Sequence, residues 1–154
     1  MNSLACNLAN LTKLKSGVER LTLTDFRNYA HLRLNAAIAP IIVHGENGSG
    51  KTNILEAISF LTPGRGLRGA RLADIKRFIP QINGGGDFSF ISPLNWAVAA
   101  EIVNNGESFN IATAVEKSAK EVEDSDGYRS FERRIVKVDG SKISSQAELG
   151  RYLS

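Results

Sequence analysis

The stretch VHGENGSGKTNILEAI, residues 43–58, determines how this sequence is interpreted. Glycines at positions 45, 48 and 50 separate a short apolar run from a longer pattern in which apolar residues recur at helical spacing. The run at residues 41–43, Ile-Ile-Val, is β-branched and wholly apolar, as in a buried central strand. The sequence therefore predicts a strand, a glycine-rich loop, and a helix that begins near Lys51 and stops at Pro63-Gly64.

The glycine-rich loop matches the pattern G-x-x-x-x-G-K-[ST]. Glycines let backbone N–H groups point at an anion without a side chain in the way, and the positive end of the following helix points at the same place. The lysine adds a full charge for the β- and γ-phosphates, and the threonine supplies a hydroxyl to Mg²⁺. We therefore predict a nucleoside triphosphate site formed by Gly45, Glu46, Asn47, Gly48, Ser49, Gly50, Lys51 and Thr52, with Thr52 also holding Mg²⁺.

Length and composition indicate an ordinary globular protein. The sequence has 154 residues, which is about one domain, and 42% of them are hydrophobic. Its single cysteine, Cys6, excludes an internal disulfide and fits a reducing compartment. The start does not resemble a secretory signal, and no run reaches the roughly 18 apolar residues of a membrane span. We expect a cytoplasmic protein without a membrane partner.

Charge is concentrated in two segments. Residues 65–77 carry five basic residues and one acid, a net charge of +4, so the rest of the chain sums to −1. Such a cluster can contact DNA phosphates, and its candidates are Arg65, Arg68 and Arg71; a solvated surface is the alternative. Residues 115–126 are rich in acids and poor in apolar residues, which predicts an exposed loop.

The rest of the chain is predicted to be mainly β. Alternating or apolar runs predict strands at residues 18–23, 31–34, 96–103, 108–115 and 133–138. Asn105-Gly106 and Asp139-Gly140 predict tight turns, the first of which closes a hairpin. Glycines 84–86 predict a flexible break. Helical patterns occur at residues 72–79 and 146–153.

Three motifs in this order resemble the RecF family of bacterial recombination mediators. Asn47 together with NILEAI at 53–58 resembles the loop and helix of the SMC-like ATPases. LTDFRNY at 23–29 is similar to the "FRNY" strand of RecF, and LTPGRGLR at 61–68 is similar to the segment after the P-loop helix in RecF of some bacteria. The resemblance covers residues 18–154, and residues 1–17 look like a flexible N-terminal extension.

The resemblance implies an α/β P-loop NTPase fold of the ABC/SMC-like head type, with a mixed sheet and an antiparallel β lobe. It implies ATP and Mg²⁺ as cofactors, with Arg27 and Asn28 near the adenine and ribose. It also implies ATP-dependent binding of single-stranded DNA or gap junctions, loading of recombinase, and roles in DNA replication, repair and the SOS response. The implied partners are DNA, the RecO and RecR mediators, and a second copy in an ATP-dependent homodimer.

The sequence departs from the family pattern in lacking two motifs. A RecF-like head needs a signature motif near L-S-G-G-Q and a Walker B run that ends in Asp-Glu, and residues 82–87 and 96–101 match neither. We therefore interpret residues 18–154 as the N-terminal part of a head whose C-terminal part is missing. A slow ATPase is expected of the full-length protein, whereas this chain is expected to bind ATP without hydrolysing it.

Individual residues outside the loop have simpler interpretations. Phe26, Tyr29 and Trp96 are expected in the core, and Glu56 as a solvated charge on the helix rather than a group near Mg²⁺. The two histidines lack metal-ligand spacing, so no metal beyond Mg²⁺ is predicted. The alternatives to a RecF-type function are the ATPase half of an OLD-type nuclease, a small P-loop phosphotransferase and a transporter ATPase subunit.

Overall fold

The computed structural model describes residues 15–82, 88–93, 95–120 and 129–154, so nearly all of the expected extension at 1–17 lies outside the described residues. A 3₁₀ helix at Leu72–Ile75 lies between α1 and β3. The remaining elements in chain order are β1 (Ser16–Phe26), β2 (Tyr29–Asn35), α1 (Lys51–Ser59), β3 (Ile79–Ile82), β4 (Phe88–Ile91), β5 (Ala97–Asn104), β6 (Glu107–Lys120), β7 (Arg129–Val138), β8 (Ser141–Lys142) and α2 (Gln146–Leu153).

Six strands form one antiparallel sheet in the order β2-β1-β5-β6-β7-β8, and β3 pairs with β4 in a separate hairpin. Asn105 and Gly106 both have positive φ, 51° and 90°, which is the two-residue turn that suits the twist of a hairpin. Asp139-Gly140 repeats this geometry between β7 and β8. The predicted strands at residues 18–23, 31–34, 108–115 and 133–138 are confirmed, as are both turns; at residues 96–103 the strand begins one residue later, at Ala97.

The core lies between one face of the six-stranded sheet and the two helices. Side chains alternate along each strand, so every second residue faces the helices. Most of these inward residues are apolar and buried. Ala57 on α1, Phe60 and Leu61 just after it, and Leu149 on α2 pack against them. Phe26, Phe60 and Trp96 pack with ring centroids 5.4–6.1 Å apart, which joins β1, the end of α1 and the start of β5. The expectation that Phe26 and Trp96 are core residues is confirmed.

One backbone irregularity brings Phe26 into that core. Leu21 and Leu23 face inward, so strict alternation would send residue 26 outward. Asp25 has a φ of 46°, in the left-handed region that Asp tolerates better than most residues. This shifts the alternation by one residue and buries Phe26 completely. β1 therefore extends beyond the predicted strand at residues 18–23, as far as Phe26.

The predicted central strand at residues 41–43 is wrong. This segment is not a strand, and Ile41, Ile42 and Val43 are 62%, 88% and 43% exposed. A β-branched apolar run becomes a strand only when neighbouring strands satisfy its backbone and cover its side chains. Among the described residues, every strand pairs elsewhere, either in the β1 sheet or in the β3–β4 hairpin.

Two smaller predictions also need correction. The segment at 115–126 is not simply an exposed loop, because Val115 is buried and β6 continues to Lys120; residues 121–128 lie outside the described residues, as do glycines 84–86. The helical pattern at 72–79 yields only the short 3₁₀ helix, since Phe78 is exposed and Ile79 begins β3.

The helix predicted at 146–153 is confirmed as α2, and its N-terminus is capped. The Ser145 hydroxyl accepts a hydrogen bond from the Glu148 amide, and the Glu148 carboxylate accepts from the amide and hydroxyl of Ser144. These hydrogen bonds, led by that from the Ser144 amide, hold the pKa of Glu148 below its usual value. Neither α1 nor α2 is long and apolar enough to cross a membrane, and the same holds for every helix in the described part of the chain.

Candidate nucleotide-binding site

The glycine-rich loop has the geometry of a phosphate cradle. It leads directly into α1, and Gly48 and Gly50 have left-handed φ values of 85° and 96°. Within the described ranges, the N–H groups of Gly48, Gly50, Lys51 and Thr52 have no hydrogen-bond acceptor. N–H groups left over at the start of a helix are the usual ligands of a phosphate. The loop therefore fits the nucleotide that the sequence predicts.

Lys51 lies against the beginning of the loop. Its Nζ donates to the backbone carbonyls of Gly45, at 2.8 Å, and Glu46, at 2.6 Å. Because the lysine is the first residue of α1, these bonds connect the two ends of the loop. The ammonium charge is thus held beside the unpaired N–H groups. The Thr52 side chain next to it is exposed, so its hydroxyl is accessible to a cation.

The turn between β1 and β2 packs closely on the start of α1. A Cβ atom placed on Gly50 would lie 2.6 Å from both Asn28 Nδ2 and Tyr29 Oη, and the φ of 96° would strain any other residue, so this position favours glycine. The Asn28 Oδ1 accepts a hydrogen bond of 2.9 Å from Asn53 Nδ2 on the first turn of the helix. Asn28, predicted from sequence to lie at the nucleotide, is therefore placed directly beside the loop. Tyr29 is half-buried against the core.

Glu56 is buried, and the expectation that it is a solvated charge is wrong. Its side chain is fully inaccessible, and Arg27 binds it in a bidentate pair: Nε to Oε2 at 2.9 Å and Nη2 to Oε1 at 2.6 Å. The third donor of this arginine, Nη1, binds the backbone carbonyl of Asp74 at 2.8 Å. Arg27 therefore joins α1 to the 3₁₀ helix. Contact between Arg27 and a nucleotide remains a prediction.

The basic segment, residues 65–77, divides into paired and unpaired members. Arg68 Nη1 lies 3.4 Å from Glu56 Oε2, and this side chain is 45% exposed. Lys76 is buried against Glu132, and Arg77 Nε binds Asp25 Oδ1 at 3.0 Å. Of the three DNA-binding candidates, Arg65 and Arg71 are exposed and make no ion pair with any described residue. Contact with DNA remains a prediction for all three.

Arg134 secures the other end of α1, and the sequence analysis did not identify it. Its guanidinium donates to the backbone carbonyls of Phe60, of Thr62 at 3.3 Å and of Gly64 at 2.6 Å, and to the Thr113 hydroxyl at 2.9 Å. The same group lies 5.4 Å from the centre of the Phe60 ring. Burial lowers the pKa of this guanidinium from its usual value. Arg134 thereby ties β7 to the turn that follows α1.

Comparison with known proteins identifies the family. The family model described as RecF/RecN/SMC N terminal domain matches residues 17–140. This chain belongs to that family. Among curated relatives, the DNA replication and repair protein RecF of Agrobacterium fabrum is 36% identical over 139 residues, which is 90% of this chain and 31% of the relative. RecF of Caulobacter vibrioides is 38% identical over 124 residues, covering 80% of this chain and 27% of the relative.

A third relative shows that the similarity is concentrated in a shorter stretch. RecF of Rickettsia felis is 66% identical over 55 residues, which is 36% of this chain and 15% of the relative. This chain therefore spans less than a third of the length of each of these RecF relatives. The resemblance to the RecF family that the three sequence motifs indicated is confirmed.

Solved structures confirm the fold class. The recombination mediator protein RecF of the RecFOR pathway, in its RecF-ATPrS and RecF-ATP forms, matches this chain with TM-scores of 0.59 and 0.57. Both are 20% identical to it, and the matches cover 89% and 88% of this chain and 30% of each RecF chain. The predicted α/β fold of the ABC/SMC-like head is thus supported by structure as well as by the family model.

The described part of this RecF-family chain also contains a groove away from the loop. A groove of about 590 Å³ lies beside β7 and the start of α2, but it is lined by side chains rather than by a glycine-rich backbone. The described part of the chain contains no group of three or more His, Cys, Asp or Glu residues that could hold a metal ion. His31 and His44 are both exposed.

Proposed function

We propose that this chain is the ATP-binding N-terminal segment of a RecF-type protein of DNA replication and recombinational repair. The observation that carries the proposal is the loop at residues 45–52, where unpaired N–H groups and the Lys51 ammonium meet at the start of α1. The names of the curated relatives support the DNA-repair role, and they give no support to an OLD-type nuclease or a phosphotransferase.

In this proposal the loop binds the phosphates of ATP, and Asn28 and Arg27 lie towards the adenine and ribose. The exposed Thr52 hydroxyl would hold Mg²⁺, which neutralises charge on the β- and γ-phosphates when it is bound. The full-length protein binds single-stranded DNA or gap junctions in an ATP-dependent way, forms an ATP-dependent homodimer and helps to load recombinase with RecO and RecR. It acts in the cytoplasm, in the SOS response to DNA damage.

Replacing Lys51 with alanine should weaken MgATP binding at least about 10-fold, or about 1.4 kcal/mol. The change removes the only full positive charge of the loop. Titration calorimetry of parent and variant measures this. Lys142→Ala, which removes an exposed lysine far along the chain, is the matched control and should bind as the parent does. Thr52→Ala should weaken binding mainly when Mg²⁺ is present. Equal MgATP affinity of Lys51→Ala and parent would refute the phosphate-cradle assignment.

The 154-residue chain alone is expected to bind ATP without sustained hydrolysis. The loop positions phosphates, but hydrolysis also needs a group that orients the attacking water and, in this family, a signature motif from a second subunit. A phosphate-release assay on the purified chain measures this. Steady release that disappears in Lys51→Ala would show instead that the chain is a complete small P-loop enzyme.

The basic segment is expected to contact DNA in the full-length protein. Replacing Arg65, Arg68 and Arg71 together with alanine removes up to three phosphate contacts per subunit. For duplex regions, each lost contact should reduce the slope of log affinity against log salt by roughly 0.9. The measurement is a salt titration of DNA affinity with ATP present, and ATP affinity without DNA should persist because the loop is unchanged.

The control for this prediction is a second triple variant, Arg33→Ala, Arg133→Ala and Lys137→Ala. These residues are also exposed and basic, but they lie on the sheet rather than in the basic segment. If both triple variants leave the salt slope at the parental value, the segment is only a solvated surface. If both reduce it equally, the effect reflects net charge rather than a contact at the segment.

A further inference from the structure

Glu56 lies between the proposed nucleotide site and the basic segment that is proposed to bind DNA. It lies on α1 one turn beyond Thr52, and its carboxylate is completely buried. A buried carboxylate is costly unless it is paired and hydrogen-bonded. Both of its described partners are arginines from distant segments: Arg27 from the β1–β2 turn and Arg68 from the basic segment.

The two arginines share one oxygen atom. Among the described residues, only Arg27 Nη2 binds Oε1, at 2.6 Å, whereas Oε2 is approached by Arg27 Nε at 2.9 Å and by Arg68 Nη1 at 3.4 Å. The longer distance and greater exposure of Arg68, 45% against 19% for Arg27, make it the weaker of the two ligands. A competing anion in solvent would therefore remove Arg68 first.

The stronger arginine connects Glu56 to the loop. Arg27 is followed by Asn28, which binds Asn53 and touches the position where Gly50 starts the helix. The loop between β1 and β2 thus binds the first two turns of α1: Asn28 binds the first turn and Arg27 binds the second. A tighter bond between Glu56 and Arg27 holds the loop and its unpaired N–H groups in a more fixed geometry.

We infer that Glu56 is a positioning residue that couples DNA binding to nucleotide binding by sharing its carboxylate between Arg68 and Arg27. This inference rests on the proposed function. A DNA phosphate that takes Arg68 leaves both carboxylate oxygens to Arg27, and the loop becomes better organised for ATP. Because linkage is reciprocal, ATP must then raise DNA affinity by the same factor.

The test measures a coupling factor, the ratio of MgATPγS dissociation constants without and with a gapped DNA duplex. It uses a full-length protein of the family that contains these residues. The parent should show a factor of at least about 5, and Arg68→Ala should reduce it below about 2, because ATPγS affinity without DNA rises towards the value that the parent reaches with DNA bound. Arg65→Ala is the matched control, because it removes an exposed arginine of the same segment that does not contact Glu56. It should keep the parental factor.

A second variant tests the carboxylate itself. Glu56→Gln keeps the shape of the side chain but removes its charge, and it should also bring the coupling factor below about 2. If that variant does not fold, the coupling factors of Arg68→Ala and Arg65→Ala still test the inference. Equal coupling factors in Arg68→Ala and Arg65→Ala, or a parent that binds both ligands with a factor of 1, would overturn the inference. A parent that binds no DNA would instead refute the proposed function.

Discussion

Glu56→Ala is expected to lower the free energy of unfolding by about 3–5 kcal/mol, because it leaves Arg27 largely buried without its counter-charge. Two hydrogen bonds to that arginine are lost at the same time. This loss is a large share of the roughly 5–15 kcal/mol that stabilises a typical domain. Urea unfolding followed by tryptophan fluorescence measures it, since Trp96 is the only tryptophan and lies buried against Phe26 and Phe60.

Two further variants separate burial from charge. Glu116→Ala removes a carboxylate whose pair with Lys142, at 3.5 Å, is about half exposed on both sides, and should cost no more than about 1 kcal/mol. The double change Arg27→Met with Glu56→Leu replaces the buried pair by apolar groups and should recover most of the lost stability. If Glu56→Ala costs as little as Glu116→Ala, the buried pair contributes nothing to the stability of the fold.

Arg134→Ala should be nearly as damaging, with an expected loss of about 3 kcal/mol. One guanidinium serves the carbonyls of Phe60, Thr62 and Gly64, and hydrogen bonds from a charged donor contribute about 1.5–3 kcal/mol each before non-additivity is considered. Removing the donor also takes this guanidinium away from the carbonyls of Phe60, Thr62 and Gly64, which lie in the turn after α1. The same urea titration measures the loss.

The neighbouring residue provides the control for Arg134. Arg133 lies on the opposite face of β7, is exposed and forms no ion pair with any residue in the described ranges. Arg133→Ala should therefore change the free energy of unfolding by no more than about 0.5 kcal/mol. A similar small effect for Arg134→Ala would show that solvent replaces the guanidinium without cost, and that the end of α1 needs no side-chain partner.

Local patterns were sufficient for the elements whose causes are local. The glycines and Lys51 specify the loop, the two-residue turns at Asn105 and Asp139 specify their hairpins, and Ser145 specifies the start of α2. Each of these depends on residues within a few positions along the chain. The antiparallel lobe could be predicted for the same reason, because most of its neighbouring strands are also consecutive in sequence.

The errors fall where distant residues decide the outcome. Nothing near Glu56 in sequence shows that Arg27 and Arg68 converge on it, so the sequence alone favours a solvated charge on the helix surface. The run at 41–43 has strand-like composition, but composition cannot supply neighbouring strands. The role of Arg134 could have been predicted from the sequence pattern. It alternates with Val136 and Val138 on the inward face of β7, and a buried basic residue there requires hydrogen-bond acceptors.

The dependence of α1 on Arg134 has a consequence for the order of synthesis. The phosphate loop and α1 are synthesised before Arg134, which comes 74 residues after Phe60, or roughly 4–15 s later at ordinary translation rates. During that interval the apolar side chains of Phe60 and Leu61 also lack Trp96 and the later strands that cover them. The part of the chain that would bind nucleotide is thus synthesised well before the residue that holds the end of its helix in place.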